Sequence, residues 1–187
     1  MKKVVLITGA TRGIGKVTAL MLAEAGFAVV VTGRTLQPGQ GSVGDNELVP
    51  GSVEETVAAI ESAGGVALGV RLDLLDRASI DAAIEATIKR FGRLDALVNN
   101  AIYQGPGLMD RMADFTMQQA DDNFTASVTN QIYISRCAIA HMARAGGGRL
   151  VFLTSGAAVM PPPVGASLLY AASKAAGDLM CLSYFVT

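Results

Sequence analysis

The 187-residue sequence is sparing with residues that bind metals or cross-link chains: it holds one histidine, His141, and two cysteines, Cys137 and Cys181. The cysteines lie in apolar stretches without C-x-x-C spacing, which excludes a disulfide framework and a metal site and reads as buried free thiols in a reducing compartment. Charge is scarce and balanced, at 17% of residues with a net of -1, so no basic face serves electrostatic binding to nucleic acid or anionic lipid. Long apolar runs are missing too. Although 51% of residues are hydrophobic and mean hydropathy is +0.41, no run approaches the roughly 18 residues that span a bilayer. The apolarity therefore belongs to a buried core, and a small-molecule partner is expected. A Gly-x-Ser-x-Gly elbow is absent and His141 reads as a mid-helix surface or interface residue, which argues against hydrolase chemistry. After Met1-Lys2-Lys3 the chain enters an apolar strand directly, without the h-region of a signal peptide, so a cytoplasmic protein is expected.

What is present is an alternation. Val4-Val5-Leu6-Ile7 is apolar on both sides of the pleat, as in a strand covered on both faces. Gly13 to Ala25 carries Ile14, Val17, Met21 and Ala25 at helical spacing, and Gly26 stops it. A second strand, Phe27 to Val31, leads into a long Gly- and Pro-rich loop over residues 35–51. Ser52-Val53-Glu54-Glu55 opens a helix running to about Ala63, followed by a strand from Val66 to Leu72, a helix from Asp76 to Arg90 and a strand from Leu94 to Val98. Residues 113–144 read as mostly helical, Leu150 to Thr154 as a fifth strand and Leu168 to Tyr184 as a last helix. The expected fold is α/β, a doubly wound Rossmann-like parallel sheet of at least five strands with helices on both faces, in a single domain over 1–187. Ligands then bind beyond the strand ends, at the loops after residues 8, 32, 72, 98 and 154.

The first of those loops, Thr8-Gly9-Ala10-Thr11-Arg12-Gly13-Ile14-Gly15, has glycines that permit a tight turn and bring backbone N–H groups and a helix N-terminus to a pyrophosphate. A plain strand-helix turn is the alternative. Strand two ends in Thr32-Gly33-Arg34, with no acidic residue for the ribose hydroxyls of NAD. Arg34, joined by Arg12, can hold a 2′-phosphate, which favours NADP(H) over NAD(H); otherwise Arg34 is a solvated loop residue. At the end of strand three, beside Leu74, Asp73 either bonds the adenine amino group or caps the following turn. Asn99-Asn100-Ala101 ends strand four, where amides tie strand ends together or line a cofactor cleft.

Tyr170-Ala171-Ala172-Ser173-Lys174 places a phenol and an ammonium on one helix face, and Ser155 follows strand five on the ligand side. A phenol is a poor acid-base group at neutral pH, and an ammonium about 4 Å away at an effective dielectric of about 20 contributes about 4 kcal/mol to its ionised form. Tyr170 so prepared can exchange a proton with a carbonyl or alcohol oxygen that Ser155 holds. A surface Tyr and Lys with an N-capping Ser is the bland alternative.

Together, the glycine loop, Asn99-Asn100-Ala101, Ser155 and Tyr170-x-x-x-Lys174 resemble the short-chain dehydrogenase/reductase family along essentially the whole chain. The resemblance implies Tyr170 as acid-base, Lys174 on the nicotinamide ribose and Ser155 orienting a small carbonyl or secondary alcohol. It also implies a homodimer or homotetramer packed through residues 113–144 and 168–184. Four features depart from the pattern. Ile102 replaces the family's glycine after Asn-Asn-Ala, and Ser127 occupies the position of a fourth catalytic residue, an Asn, with Asn123 and Asn130 one turn to either side. The loop from Leu36 to Gly51 is longer than usual, and the family's closing strands are missing after Phe185-Val186-Thr187. The rival expectation is a nucleotide-binding or interaction protein without turnover.

Overall fold

Val4–Ile7 (β1) and Ala28–Gly33 (β2) are buried at every position, as the unbroken apolar runs require of strands covered on both faces. With Val66–Arg71 (β5), Ala96–Asn99 (β6) and Arg149–Phe152 (β7) they form one parallel sheet, ordered β5-β2-β1-β6-β7. Val5 is in register with Val29 on one side and Ala96 on the other. This computed structural model describes residues 2–43, 47–160 and 167–185; residues 44–46 of the long loop and 186–187 at the end lie outside them.

The strand period of two divides the core. Val4, Leu6, Val30 and Leu97 pack with Ile80 and Ile84 of α3 (Arg77–Phe91) and Ile134 and Ala138 of α5 (Asn130–Arg144). Val5, Ile7, Val29 and Val31 pack with Ala19 and Ala23 of α1 (Gly13–Glu24) and Ile60 of α2 (Val53–Ser62). Each fully buried aliphatic side chain contributes about 1.5–3 kcal/mol. The doubly wound single domain expected from the alternation is the fold observed. Among the described residues no helix is long and apolar enough to cross a membrane.

Several local expectations are corrected. In α1 the spaced residues Ile14, Val17 and Met21 are 67%, 55% and 64% exposed, and Gly15, Ala19 and Ala23 are buried. The small face wins because α1 lies close to the glycine loop: a Cβ on Gly15 would stand 2.3 Å from the Gly9 carbonyl. The 35–51 segment is not plain loop, since Ser42–Val43 (β3) and Glu47–Leu48 (β4) pair antiparallel. The helical stretch after residue 113 comprises α4 (Met117–Phe124), a π-helical turn (Thr125–Thr129) and α5. Cys137 and Cys181 are half-buried rather than buried; burial raises both thiol pKa values, with nearby Asp81 and Asp178 respectively adding to it, so the thiols stay protonated.

Candidate active site

The cleft opens at the carboxyl ends of β1 and β6, where the sheet order reverses. Thr8 and Asn100 hold those ends together. The Thr8 hydroxyl accepts the N–H groups of Asn100 and Ala101 at 3.1 and 3.0 Å, and Asn100 Nδ2 donates to the carbonyls of Thr8 and Gly9 at 2.9 and 3.0 Å. Gly9 and Gly13 have φ of +67° and +53°, backbone that side chains disfavour. The start of α1 lines the cleft with Gly13, Ile14 and Gly15. Arg12 at its N-cap makes no side-chain capping bond, whereas α2, α3 and α4 begin on Ser52, Asp76 and Thr116 caps. The first N–H groups of α1 thus keep their donors for an anion.

Arg12, Arg34 and Thr11 line the cleft, with the two arginines near enough to repel. Arg34 Nη2 donates to the Ser42 carbonyl at 3.4 Å. Burial and then the charge of Arg34 push the Arg12 pKa down, and among the described residues neither guanidinium is in an ion pair. Asp73 and Leu74 line the cleft after β5. Asp73 Oδ1 accepts the Leu75 N–H at 3.0 Å, so this carboxylate caps its turn while it faces the cleft.

The opposite end is formed by Leu153 and Thr154 after β7 and by Tyr170 and Lys174 of α6 (Leu168–Phe185). Ser167, with φ of +61°, donates its N–H to the Met109 and Asp110 carbonyls and accepts the Ala171 N–H, which fixes where α6 begins. The Lys174 ammonium lies 5.8 Å from the Tyr170 ring centre and donates to the Leu153 carbonyl. Lys174 is 8% exposed, and burial pushes its pKa down against the opposing charge of Asp178.

Ser155, Ser127, Asn123, Asn130 and Asn99 stand apart from this lining. Ser155 Oγ accepts the Ala157 N–H at 3.2 Å and caps a 3-10 turn over Gly156–Ala158. Ser127 Oγ accepts the Tyr103 N–H at 2.9 Å. Of its two neighbours, Asn130 is bound to the Leu74 carbonyl and the Arg77 guanidinium, while the buried Asn123 amide has no hydrogen-bond partner. Asn99 turns away from the cleft to Ser135, and Tyr133 donates to Asp81 on α3. Sequence reasoning missed Tyr103, Gln104, Ala126 and Ser42 in the lining. Tyr103 and Gln104 follow a strand end, a positional signal that could have found them; Ala126 and Ser42 carry none. The Tyr103 pKa is raised by burial and by Asp122, with Arg34 opposing.

The short chain dehydrogenase family profile matches residues 3–184. The chain belongs to that family. It is 35% identical over 157 residues to the short-chain reductase protein NovJ of Streptomyces niveus, covering 84% of this chain and 53% of that one. It is 32% identical over 184 residues to the hydroxynaphthalene reductase arp2 of Aspergillus fumigatus, covering 97% and 60%. The chain thus spans between half and two thirds of the length of these two relatives. Among solved structures, an NADH-dependent reductase A1-R′ complexed with NAD superposes with a TM-score of 0.80 at 26% identity, over 98% of this chain and 71% of that one.

Proposed function

We propose that the chain is an NADP(H)-dependent oxidoreductase that moves hydride between nicotinamide and a small carbonyl or secondary alcohol. The observation that carries the reading is that Tyr170 and Lys174 line the same cleft as the glycine loop and the two arginines. The cleft fits a dinucleotide on its own chemistry. Close backbone approach at Gly9 and Gly15 and the uncapped start of α1 suit a pyrophosphate, and Arg12 and Arg34 suit a phosphomonoester.

In this reading Gly9 and the Thr11–Gly15 backbone hold the pyrophosphate, Asp73 and Leu74 flank the adenine, and Asn100 and Ala101 border the nicotinamide end. The bound cofactor supplies or takes up the hydride. Tyr170 gives its phenolic proton to the carbonyl oxygen in reduction and recovers it in oxidation, and Lys174 stabilises the phenolate left behind while bonding a ribose hydroxyl. Ser155 still has its hydroxyl proton to offer the substrate oxygen, because its bond from Ala157 uses only the acceptor side. Ser127 acts by holding Tyr103. The domain works as a cytoplasmic homodimer or homotetramer, with exposed Ile132 on α5 and Leu179 and Leu182 on α6 available for contacts between copies.

Reduction is supported by the names of both curated relatives, NovJ and arp2. The structural neighbour is NADH-dependent, so preference for NADP(H) rests on Arg12 and Arg34. Titration with NADPH and NADH tests this, followed by a carbonyl panel read at the nicotinamide absorbance. NADPH is expected to bind more tightly, and Arg34→Asp to move preference towards NADH; failure to bind either cofactor overturns the proposal. One observation favours a second reading, a cofactor-binding protein without turnover: Ser155 and Ser127 both lie outside the cleft lining that Tyr170 and Lys174 share. Tight NADPH binding with no substrate reduced would select it.

A further inference from the structure

The loop between β2 and α2 returns to the cleft through a contact that the cofactor reading does not use. Gly51 has φ of +100°, and a Cβ built on it would stand 2.3 Å from the Thr11 carbonyl oxygen and 3.1 Å from Arg12 Cβ. On the other side a Cβ on Gly33 would stand 2.5 Å from Thr11 Cγ2. Thr11 is therefore clamped between two glycines that come from opposite ends of the loop. The clamp is itself anchored: Val53 donates its N–H to the Thr35 carbonyl at 3.0 Å, and Thr56 Oγ1 donates to the Ala10 carbonyl at 3.0 Å. Further out, Val49 donates its N–H to the Gly41 carbonyl at 3.0 Å, and the adjacent Ser42 carbonyl accepts from Arg34.

The loop thus approaches Arg12 at its far end, through Gly51, and holds Arg34 near its middle, through the Ser42 carbonyl. Two guanidiniums lining one cleft repel each other, and a scaffold that fixes both reduces the ordering cost of closing them on a shared anion. We propose that residues 41–42 and 49–51 of this loop are a specificity element of the cleft: Gly51 leaves room for the Thr11–Arg12 backbone and the Ser42 carbonyl holds Arg34, so that both guanidiniums serve a 2′-phosphomonoester. Selection of the phosphorylated cofactor then depends on glycines 41 and 51, which touch no cofactor, as well as on the arginines. The inference rests on the NADP(H) reading above and adds the device that enforces it.

A double-mutant cycle on the intact chain tests it, with equilibrium binding of NADPH and NADH as readout. Gly51→Ala drives a methyl group into the Thr11 carbonyl, which weakens both cofactors through the pyrophosphate loop, and displaces Arg12; NADPH binding is expected to weaken by about tenfold more than NADH binding. In an Arg12→Ala background the same substitution is expected to weaken NADPH and NADH binding equally, within about twofold. Gly41→Ala, whose Cβ would meet the Val49 carbonyl at 2.6 Å, parts the loop beside Ser42 and is expected to show the same selective loss, cancelled in Arg34→Ala. It serves also if Gly51→Ala does not fold. Equal weakening of both cofactors with the arginines in place, or a selective loss undiminished when the arginine is absent, overturns the inference. If Arg12→Ala and Arg34→Ala abolish NADPH preference while both glycine variants retain it, this inference alone fails. A wild-type protein with no NADPH preference removes both it and the NADP(H) reading.

Discussion

Ser127 accepts a hydrogen bond from the backbone N–H of Tyr103 at 2.9 Å, and both residues are buried, at 3% and 8% exposure. The hydroxyl sits in the π-helical turn between α4 and α5 and holds the segment after β6 that carries Ile102, Tyr103 and Gln104 into the cleft. Ser127→Ala leaves that N–H without an acceptor, at a cost of about 1–3 kcal/mol in stability. The expected kinetic result is a raised KM for substrate with an unchanged pH profile of kcat. A loss confined to kcat, with an altered pH profile, would assign Ser127 to proton transfer instead.

The two phenols of the cleft separate by mutation. Tyr170→Phe removes the proposed proton donor and is expected to lower kcat by about 10²–10⁴-fold, with NADPH binding nearly intact by titration. Tyr103→Phe keeps the ring and the backbone bond to Ser127, and turnover is expected to persist. Reversal of these two outcomes would move the acid-base role to Tyr103.

Asn123 is buried, and neither end of its amide has a hydrogen-bond partner. An unsatisfied amide costs about 1–3 kcal/mol, so Asn123→Ala, which removes both polar ends and adds no volume, is expected to stabilise the fold by about 1 kcal/mol once the small cavity it leaves is counted. Urea unfolding measures it. A destabilised variant would show that a buried water serves the amide.

Lys174 gives stability a pH dependence. Burial depresses its pKa in the folded protein, so between the folded value and the ordinary lysine value the unfolded chain binds more protons. Stability from this group therefore rises as pH increases through that window, and the penalty is largest below the folded pKa. Urea midpoints measured up the alkaline side should rise less steeply in Lys174→Met than in the wild type. An unchanged slope would show that Lys174 is not the group responsible.

The β-α alternation was legible because the strands of the parallel sheet are short apolar runs and α1, α2 and α3 start at a glycine loop or at the capping residues Ser52 and Asp76, whereas β3, β4 and the uncapped start of α5 carry no such mark. The glycine loop, Arg34, Asp73 and the Tyr170–Lys174 pair were legible for the related reason that strand ends are where such a sheet binds ligands. The face of α1 was misread because periodicity reports spacing, whereas burial was decided by how closely Gly15 must approach Gly9. Ser155 and Ser127 were named by position, but position does not reveal which backbone N–H claims a hydroxyl.

By itself the sequence determined the order of elements, the parallel sheet and the loop at which a phosphate can meet a helix end, because these follow from local patterns and the handedness of β-α-β crossovers. Only the tertiary structure decided that Thr11 is gripped between Gly33 and Gly51, that Arg34 reaches Ser42, and that Ser127 serves Tyr103. Those contacts join residues 8 to 40 positions apart, and they depend on packing distances of a few ångströms that no spacing along the chain encodes.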